Sequence, residues 1–283
     1  MDRTVSAVST GQNPKLGRIR IYPFKSLDPI ECRTTHFTSA GSLKKDRRFA
    51  FLLPNGTFFN AKNDPRIHRI RLQIDPGFQL YEFSIRGTNN KIQIDLTEGF
   101  KNLERWIFTQ LKVQVKVTEN GDHGFPDDLQ ASGPTVISRG TIEAIAAWYP
   151  NLTPDDIRTR FRANLEIDNV PAFWEDRLCA EKGAGEIEFQ IGNATLRGIN
   201  PCQRCVVPSR NQQTGEPFAN FSKHFLVERQ KSLPSWAPRS QFNHFYRAAI
   251  NTTAQNNGDV GSIKLGDEIK PLGRHSTNTA ERK

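Results

Sequence analysis

Short segments of alternating apolar and polar residues most restrict how this chain can fold. They lie at 16–21, 46–53, 70–74, 81–85 and 92–96, with Gly and Asn clusters between them, and recur at 113–117 and 187–191. Alternation with a period of two is typical of half-buried strands. Successive short strands without helices between them favour a barrel or sandwich over a doubly wound sheet. The sequence therefore predicts a mostly β fold with a few helices.

Two helices and a domain junction are predicted from local patterns. Leu103, Ile107 and Leu111 fall on one face of a helix over about 100–111. Ser138 is a candidate N-cap for a second helix over 142–146, which ends at Pro150. The segment 119–133, rich in Gly, Pro, Asp and Asn, is interpreted as the junction between two domains.

Three further segments of the second half carry structural predictions. Residues 160–167 alternate as a strand, with Arg160, Arg162 and Asn164 on the face opposite Phe161 and Leu165. That polar face would line a pocket or would simply be solvated. Residues 208–241, rich in Ser, Pro, Gln and Asn, are expected to form a long surface excursion. Residues 262–272 are expected to form a hairpin with a Gly-Asp turn.

Length and charge narrow the class of protein. A chain of 283 residues has room for about two domains. It contains no apolar run near the length of a membrane span and no secretory signal at its start, and four cysteines make no disulfide framework. We therefore expect a cytoplasmic protein without membrane contact. The net charge of +9 is spread along the chain without a nucleic-acid-binding motif, so nucleic acid is not expected as a partner.

Cys202 and Cys205 form the strongest chemical feature of the sequence. The pair stands three residues apart beside Arg204, and neighbouring positive charge favours the thiolate that attacks substrates and binds metals. Structural zinc would need further ligands at short spacing, and a thioredoxin-like pair would begin a helix. The sequence Val206-Val207-Pro208 that follows is instead strand-like. Two half-buried cysteines that only fill space remain an alternative.

Five short motifs together resemble a known family. They are Lys25-Ser26, Asp46-Arg47, the stretch from Arg160 to Asn164, Arg204-Cys205 and Thr214-Gly215. In this order they resemble the MOSC proteins, and in particular the group that includes the mitochondrial amidoxime-reducing component and its bacterial relatives. The resemblance implies an N-terminal MOSC β-barrel domain over 15–122, a MOSC β-barrel domain over 123–274 and a flexible tail over 275–283.

The resemblance also implies a cofactor and its site. MOSC proteins bind the molybdenum cofactor (Mo-molybdopterin), and the position of Cys205 matches the metal's protein ligand, which makes it the catalytic residue. Positions that hold the cofactor's phosphate and pterin are matched by Lys25, Ser26, Arg47 and Arg162. Asn164 matches a pterin-binding amide. Ser138, at a helix N-terminus where N–H groups attract anions, is added to the cofactor-binding set.

The activity implied is reduction of small N-hydroxylated compounds at a Cys-ligated molybdenum centre. Because no cysteine follows Cys205, the chain carries no iron–sulfur ligands there, and electrons would come from a separate flavin, haem or iron–sulfur protein. The alternatives are a non-catalytic molybdenum-cofactor carrier or sulfur-transfer module, and a polyanion-binding protein without molybdenum. The chain departs from the family pattern at Lys62, where relatives often carry arginine, and at Asn211, where an acidic residue is common.

Overall fold

The computed structural model describes residues 13–254 and 261–275 and has the mostly β architecture that the alternation predicts. Its strands are β1 (Lys15–Ile21), β2 (Ile30–Cys32), β3 (Thr34–His36), β4 (Phe49–Leu52), β5 (Ile70–Ile74), β6 (Leu80–Ile85), β7 (Lys91–Asp95), β8 (Lys116–Glu119), β9 (Val136–Ser138), β10 (Leu165–Asp168), β11 (Glu186–Ile191), β12 (Ala194–Gln203), β13 (Arg247–Ala254), β14 (Ser262–Lys264) and β15 (Ile269–His275). Its α-helices are α1 (Lys101–Leu111), α2 (Arg139–Ala147), α3 (Pro154–Phe161) and α4 (Phe221–Lys231). No helix among these residues is long and apolar enough to cross a membrane.

One large sheet joins the start of the chain to its second half. Its strand order is β15-β11-β12-β13-β9-β10-β1-β2, and β1 pairs antiparallel with β10 through Leu16–Ile167 and Ile19–Leu165. Three smaller sheets are formed by β5-β6-β7, β4-β8 and β14-β3. Because β1 and β2 pair with strands of the second half, the two halves share a framework.

The apolar residues form three separate cores. The first core packs the aromatic residues of β4 and β6 against α1, with Phe24 in contact with Phe49, Phe51 and Phe83. The second core lies on the large sheet between β1, β10, β11 and β12. The third core is built by α2, α3 and α4. Val207, with Cys205 beside it, packs on the first core, so the cysteine segment joins the two halves.

The helices predicted from sequence are confirmed, while four other predictions are wrong. Residues 160–161 end α3 rather than beginning a strand, because Thr153 and Asp156 form a capping box that starts a helix at Pro154. Arg162 ends that helix in the left-handed conformation, and the strand starts at Leu165. The expected surface excursion over 208–241 contains α4, whose Phe221, Phe225 and Arg229 are buried at helical spacing.

The C-terminal prediction also needs correction. The turn at Gly266 exists, but the strands on either side do not pair with each other: β14 pairs with β3, and β15 pairs with β11. Val207 to Ser209 form a 3-10 turn and not a strand. Residues 276–283 of the predicted tail lie outside the described residues.

Candidate functional site

Lys25 lies at the end of the first strand and points toward the second half of the chain. Its main-chain N–H donates to Phe49 O over 2.8 Å, which fixes the turn after β1. Its buried Nζ donates to Phe125 O over 2.9 Å and forms an ion pair with the exposed carboxylate of Asp127. Burial lowers the pKa of Lys25, and the charges of Arg47 and Arg162 lower it further against the opposing effect of Asp127. The charges of three cations therefore act on one another at this point.

Arg47 is held in this cluster by its own neighbours. The residue has a left-handed φ of 47°, and its guanidinium pairs with Asp46 and donates to Asn164 Oδ1 over 3.3 Å. Asp46 Oδ1 in turn accepts the Tyr22 N–H over 2.8 Å. Gly124 is required here, since a Cβ at that position would lie 2.6 Å from Asp46 O.

Arg162 comes into the same cluster from the end of α3. Its left-handed backbone, with φ of 54°, directs the guanidinium to Leu27 O, to which it donates over 2.7 Å. The guanidinium carbon lies 4.2 Å from the centre of the Tyr22 ring, and that of Arg47 lies 5.7 Å from the same ring. Burial lowers the pKa of Arg162, and burial raises the pKa of Tyr22. Tyr22 is thus an aromatic surface shared by two cations.

Asn164 is buried, and its amide is already fully used within the protein. Its Nδ2 donates to Arg20 O and to Asp46 Oδ1, each over 3.0 Å. Its Oδ1 accepts from Arg47 and, over 3.2 Å, from the Thr135 N–H. This amide therefore fixes the position of Arg47.

Ser138 lies apart from the cationic cluster. It is the N-cap of α2, as the sequence predicts, with its Oγ accepting the Thr141 N–H over 3.1 Å. The side chain is fully buried, and it also exchanges a hydrogen bond with Thr141 Oγ1 over 2.8 Å. Its hydroxyl is committed to capping the helix.

The two cysteines differ in their surroundings. Both are half-buried free thiols. Arg204 NH1 lies 3.1 Å from Cys202 Sγ, and its NH2 donates to Phe161 O over 2.5 Å. The structure thus places the guanidinium of Arg204 in contact with Cys202. The described residues contain no group of three or more His, Cys, Asp or Glu side chains that could hold a metal ion.

A polar cavity of about 390 Å³ lies between the two halves of the chain. Its first-half wall includes Tyr22, Ser26, His68 and Arg86, and its second-half wall includes Arg160, Arg162 and Gln212. Ser26 has a left-handed φ of 74°, and its Oγ accepts the Ala61 N–H over 3.0 Å. The structure thus brings Lys25, Arg47, Arg162 and Asn164 into one cluster and places Ser26 and Arg162 on the cavity wall.

Cys205 is not among the residues that line this cavity, but its loop is tied to the wall. Buried Arg160 donates from NH1 to Pro208 O over 2.8 Å and to Arg210 O over 2.6 Å. Gln212 donates to Val207 O over 3.0 Å and to Arg210 O over 2.9 Å. Arg160 and Gln212 therefore hold the loop that follows Cys205 against the cavity.

Sequence reasoning missed Tyr22, His68, Asp127 and Gln212. Tyr22 stands before a proline at a strand end, and His68 stands shortly after Asp64-Pro65. Neither forms a motif that would distinguish it from a core or loop residue. Asp127 lies within the junction segment, and its pairing with Lys25 spans 102 positions of sequence. Only the folded contacts bring these side chains to the site.

Two family models match this chain, one in its first half and one in its second half. The sequence model described as "MOSC N-terminal beta barrel domain" matches residues 13–151. The model described as "MOSC domain" matches residues 134–270. Together the two matches run through nearly all of the described chain.

Three curated relatives are similar at low identity. Mitochondrial amidoxime reducing component 2 of Rattus norvegicus is 21% identical over 298 residues, which cover 90% of this chain and 82% of that protein. Molybdenum cofactor sulfurase 2 of Culex quinquefasciatus is 22% identical over 268 residues, covering 78% of this chain and 34% of the relative. Molybdenum cofactor sulfurase of Drosophila willistoni is 24% identical over 230 residues, covering 72% and 28%. The chain spans about a third of the length of these two sulfurases.

Proposed function

The chain is a MOSC-domain protein with an N-terminal MOSC β-barrel domain, and we propose that it is a molybdenum-cofactor-dependent reductase of N-hydroxylated compounds. The observation that carries the proposal is the cationic cluster of Lys25, Arg47 and Arg162, which the two halves of the chain build together beside a polar cavity. Relatedness to mitochondrial amidoxime reducing component 2 along 90% of the chain supports the reductase over other molybdenum-cofactor roles.

The donor groups present fit the cofactor's phosphate and pterin. Guanidinium forks suit phosphate oxygens and the flat edge of a pterin, and Lys25 acts as a compact positive charge. In the proposal, Lys25, Ser26, Arg47 and Arg162 hold these groups, and Asn164 positions Arg47. Ser138 takes no direct part, because its hydroxyl is buried in the α2 cap. The Lys25–Asp127 ion pair must open or rearrange to admit a phosphate.

Cys205 is the proposed protein ligand of the molybdenum. A soft thiolate suits a sulfur-rich metal centre. Four charge-assisted hydrogen bonds contribute roughly 6–12 kcal/mol. Immobilising a ligand costs about 4–15 kcal/mol. Phosphate contacts alone would therefore retain the cofactor weakly, and a bond from Cys205 would make retention strong.

The protein's own contribution is binding and positioning. When bound, the cofactor supplies the two-electron chemistry of N–O reduction. Arg160 and Gln212 hold the Cys205 loop against the cavity through main-chain carbonyls, which limits the positions that Sγ can take. Electrons come from a separate flavin, haem or iron–sulfur protein, and the net charge of +9 favours an acidic donor.

A matched pair of cysteine variants tests the proposal. Protein made in a cofactor-competent host is analysed for molybdenum and pterin and is assayed with an amidoxime, with and without an added electron-donor system. We expect wild-type protein to contain both and to turn over only with the donor. Cys205→Ser should keep the fold and lose at least about 100-fold in activity, because the essential ligand is gone. Cys202→Ser, the control, should be much milder.

Three results would count against this proposal. Full activity of Cys205→Ser with molybdenum still bound would remove Cys205 as the essential ligand. Turnover with pyridine nucleotide alone would show that no separate electron-donor protein is needed. Wild-type protein that contains neither molybdenum nor pterin would show that the proposed function is wrong.

A non-catalytic carrier or sulfur-transfer module is the second candidate. The alignment with two proteins named molybdenum cofactor sulfurase, over 72–78% of this chain, favours it. It predicts molybdenum and pterin in the purified protein but no reduction of any N-hydroxylated compound when the donor system is present. The same assay therefore separates the two functions.

A further inference from the structure

His68 is a buried histidine on the wall of the cavity that the proposed function does not use. It belongs to the 3-10 turn Pro65–Arg69 and is 4% exposed. Its Nε2 is buried and has no hydrogen-bond partner within the protein. Buried polar atoms are nearly always paired, so an unpaired nitrogen on a residue that lines a cavity indicates a place for a ligand.

The rest of the ring is fixed. A hydrogen bond to the main chain of Gln212 joins the ring to the opposite wall. Because Nε2 has no partner within the protein, we place the ring proton on Nδ1. Nε2 then carries the lone pair and can only accept a hydrogen bond.

The surroundings keep the ring neutral. Burial and, after it, the nearby charges of Arg162, Arg210 and Arg86 together lower the pKa of His68 to about 4. The carboxylate of Asp28 is occupied by Arg86, with N–O distances of 2.5 and 2.7 Å, and by the Leu72 N–H. The site thus combines one neutral acceptor nitrogen with guanidinium donors on its flanks.

We propose that His68 is a ligand-binding residue, which accepts an N–H hydrogen bond from a group that also presents an electron-rich oxygen or nitrogen to the neighbouring guanidiniums. An amino-lactam edge, as in a pterin, has this pattern, and so does an N-hydroxyamidine. The inference rests on the proposed function, which supplies both ligands. Both ligands present an N–H donor beside an acceptor atom. The test distinguishes the cofactor's pterin from the substrate.

The test compares two substitutions at one position. His68→Phe keeps the ring volume and removes the acceptor, while His68→Gln restores an acceptor oxygen. His36→Phe, at an exposed position on β3, is the matched control. For each protein, pterin and molybdenum per chain, melting temperature and the KM for an amidoxime are measured.

If the group is the cofactor's edge, His68→Phe should purify with about 10-fold less pterin or more, and His68→Gln should recover most of it. If the group is the substrate, pterin content should stay constant while KM rises by about 10- to 100-fold, again with recovery in His68→Gln. If His68→Phe binds cofactor and substrate as the wild type does, the inference is wrong.

A second measurement does not depend on how the variants fold. The ring nitrogens of His68 are followed by 15N NMR in wild-type protein, with and without cofactor and with and without amidoxime. A shift of the Nε2 resonance on addition of either ligand supports the inference, and an unchanged resonance with both overturns it. Protein that lacks cofactor altogether would instead show that the proposed function fails.

Discussion

At the scale of single residues, the site depends on side chains that hold other side chains. Asn164 does not reach the cavity, yet it links the strand end at Arg20, the carboxylate of Asp46 and the guanidinium of Arg47. Every hydrogen-bonding position of its Nδ2 is used. Its role is therefore to fix where the cations point.

Asn164→Leu should destabilise the protein by about 3 kcal/mol, because it removes the Nδ2 hydrogen bonds to Arg20 O and Asp46 Oδ1 and the Oδ1 acceptor of Arg47 from a buried site. Urea unfolding followed by circular dichroism measures the change. Asn102→Ala, at an exposed position on α1, is the control and should change stability by less than about 0.5 kcal/mol. Equal effects in the two variants would show that Asn164 is not a structural link.

Sequence patterns located part of this site because the family motifs are local. Lys25-Ser26 and Asp46-Arg47 are each contiguous, and the structure brings them together. The assignment of roles to Asn164 and Ser138 depends on which hydrogen bonds are already used, and a sequence does not record that. His68 could not be identified from sequence, because what distinguishes it is a buried ring nitrogen without a hydrogen-bond partner.

At the scale of elements, alternation found the strands but not their partners. The period of two correctly located β1, β5, β6, β7 and β11. It failed at residues 160–161, where the capping box of Thr153 and Asp156 starts a helix that competes with the strand pattern. It also missed the pairing of β14 with β3, since strand partners depend on contacts across more than 200 positions.

Within the strands, Gly198 is a position where a side chain cannot be added without moving the backbone. It lies in the middle of β12 between β11 and β13, and a Cβ there would lie 1.6 Å from Leu178 O. The turn Trp174–Leu178 therefore packs directly on the strand backbone.

Gly198→Ala should cost about 3 kcal/mol or more, since either the strand or the turn must move. Thermal unfolding measures the loss. Gly121→Ala is the control, because a Cβ at Gly121 meets nothing within 4 Å. A melting temperature for Gly198→Ala that matches the control would contradict the close approach seen here.

At the scale of the whole molecule, buried charges join the second apolar core to the third. Arg229 on α4 is fully buried and donates to Asp176 over 2.5 Å. Beside it, Glu175 accepts from Thr141 Oγ1 over 3.0 Å. Burial and, after it, the charge of Asp176 together raise the pKa of Glu175 to about 7. The network ties α2 and α4 to the turn that packs on β12.

The stability of the molecule should therefore depend on Glu175. The folded protein keeps the Glu175 proton up to about pH 7, whereas the unfolded chain releases it near its ordinary pKa of 4.5. Between these values the folded state binds more protons, so the free energy of unfolding falls as pH rises, by up to about 3 kcal/mol.

Glu175→Gln cannot ionise and should remove most of this fall. Urea unfolding at about pH 5 and about pH 8 measures it. Glu143→Gln, at an exposed position on α2, should keep the wild-type dependence. A pH dependence that is the same in all three proteins would show that Glu175 does not titrate in this range.

The pairing of β1 with β10 constrains the order of folding during translation. Residues 15–21 leave the ribosome about 145 positions before residues 165–168, which complete their ladder. At ordinary rates of translation the first strand waits roughly 10–30 s with one edge unsatisfied. Until then it offers an open hydrogen-bonding edge to any other nascent chain, and a chaperone that covered this edge would prevent such pairing.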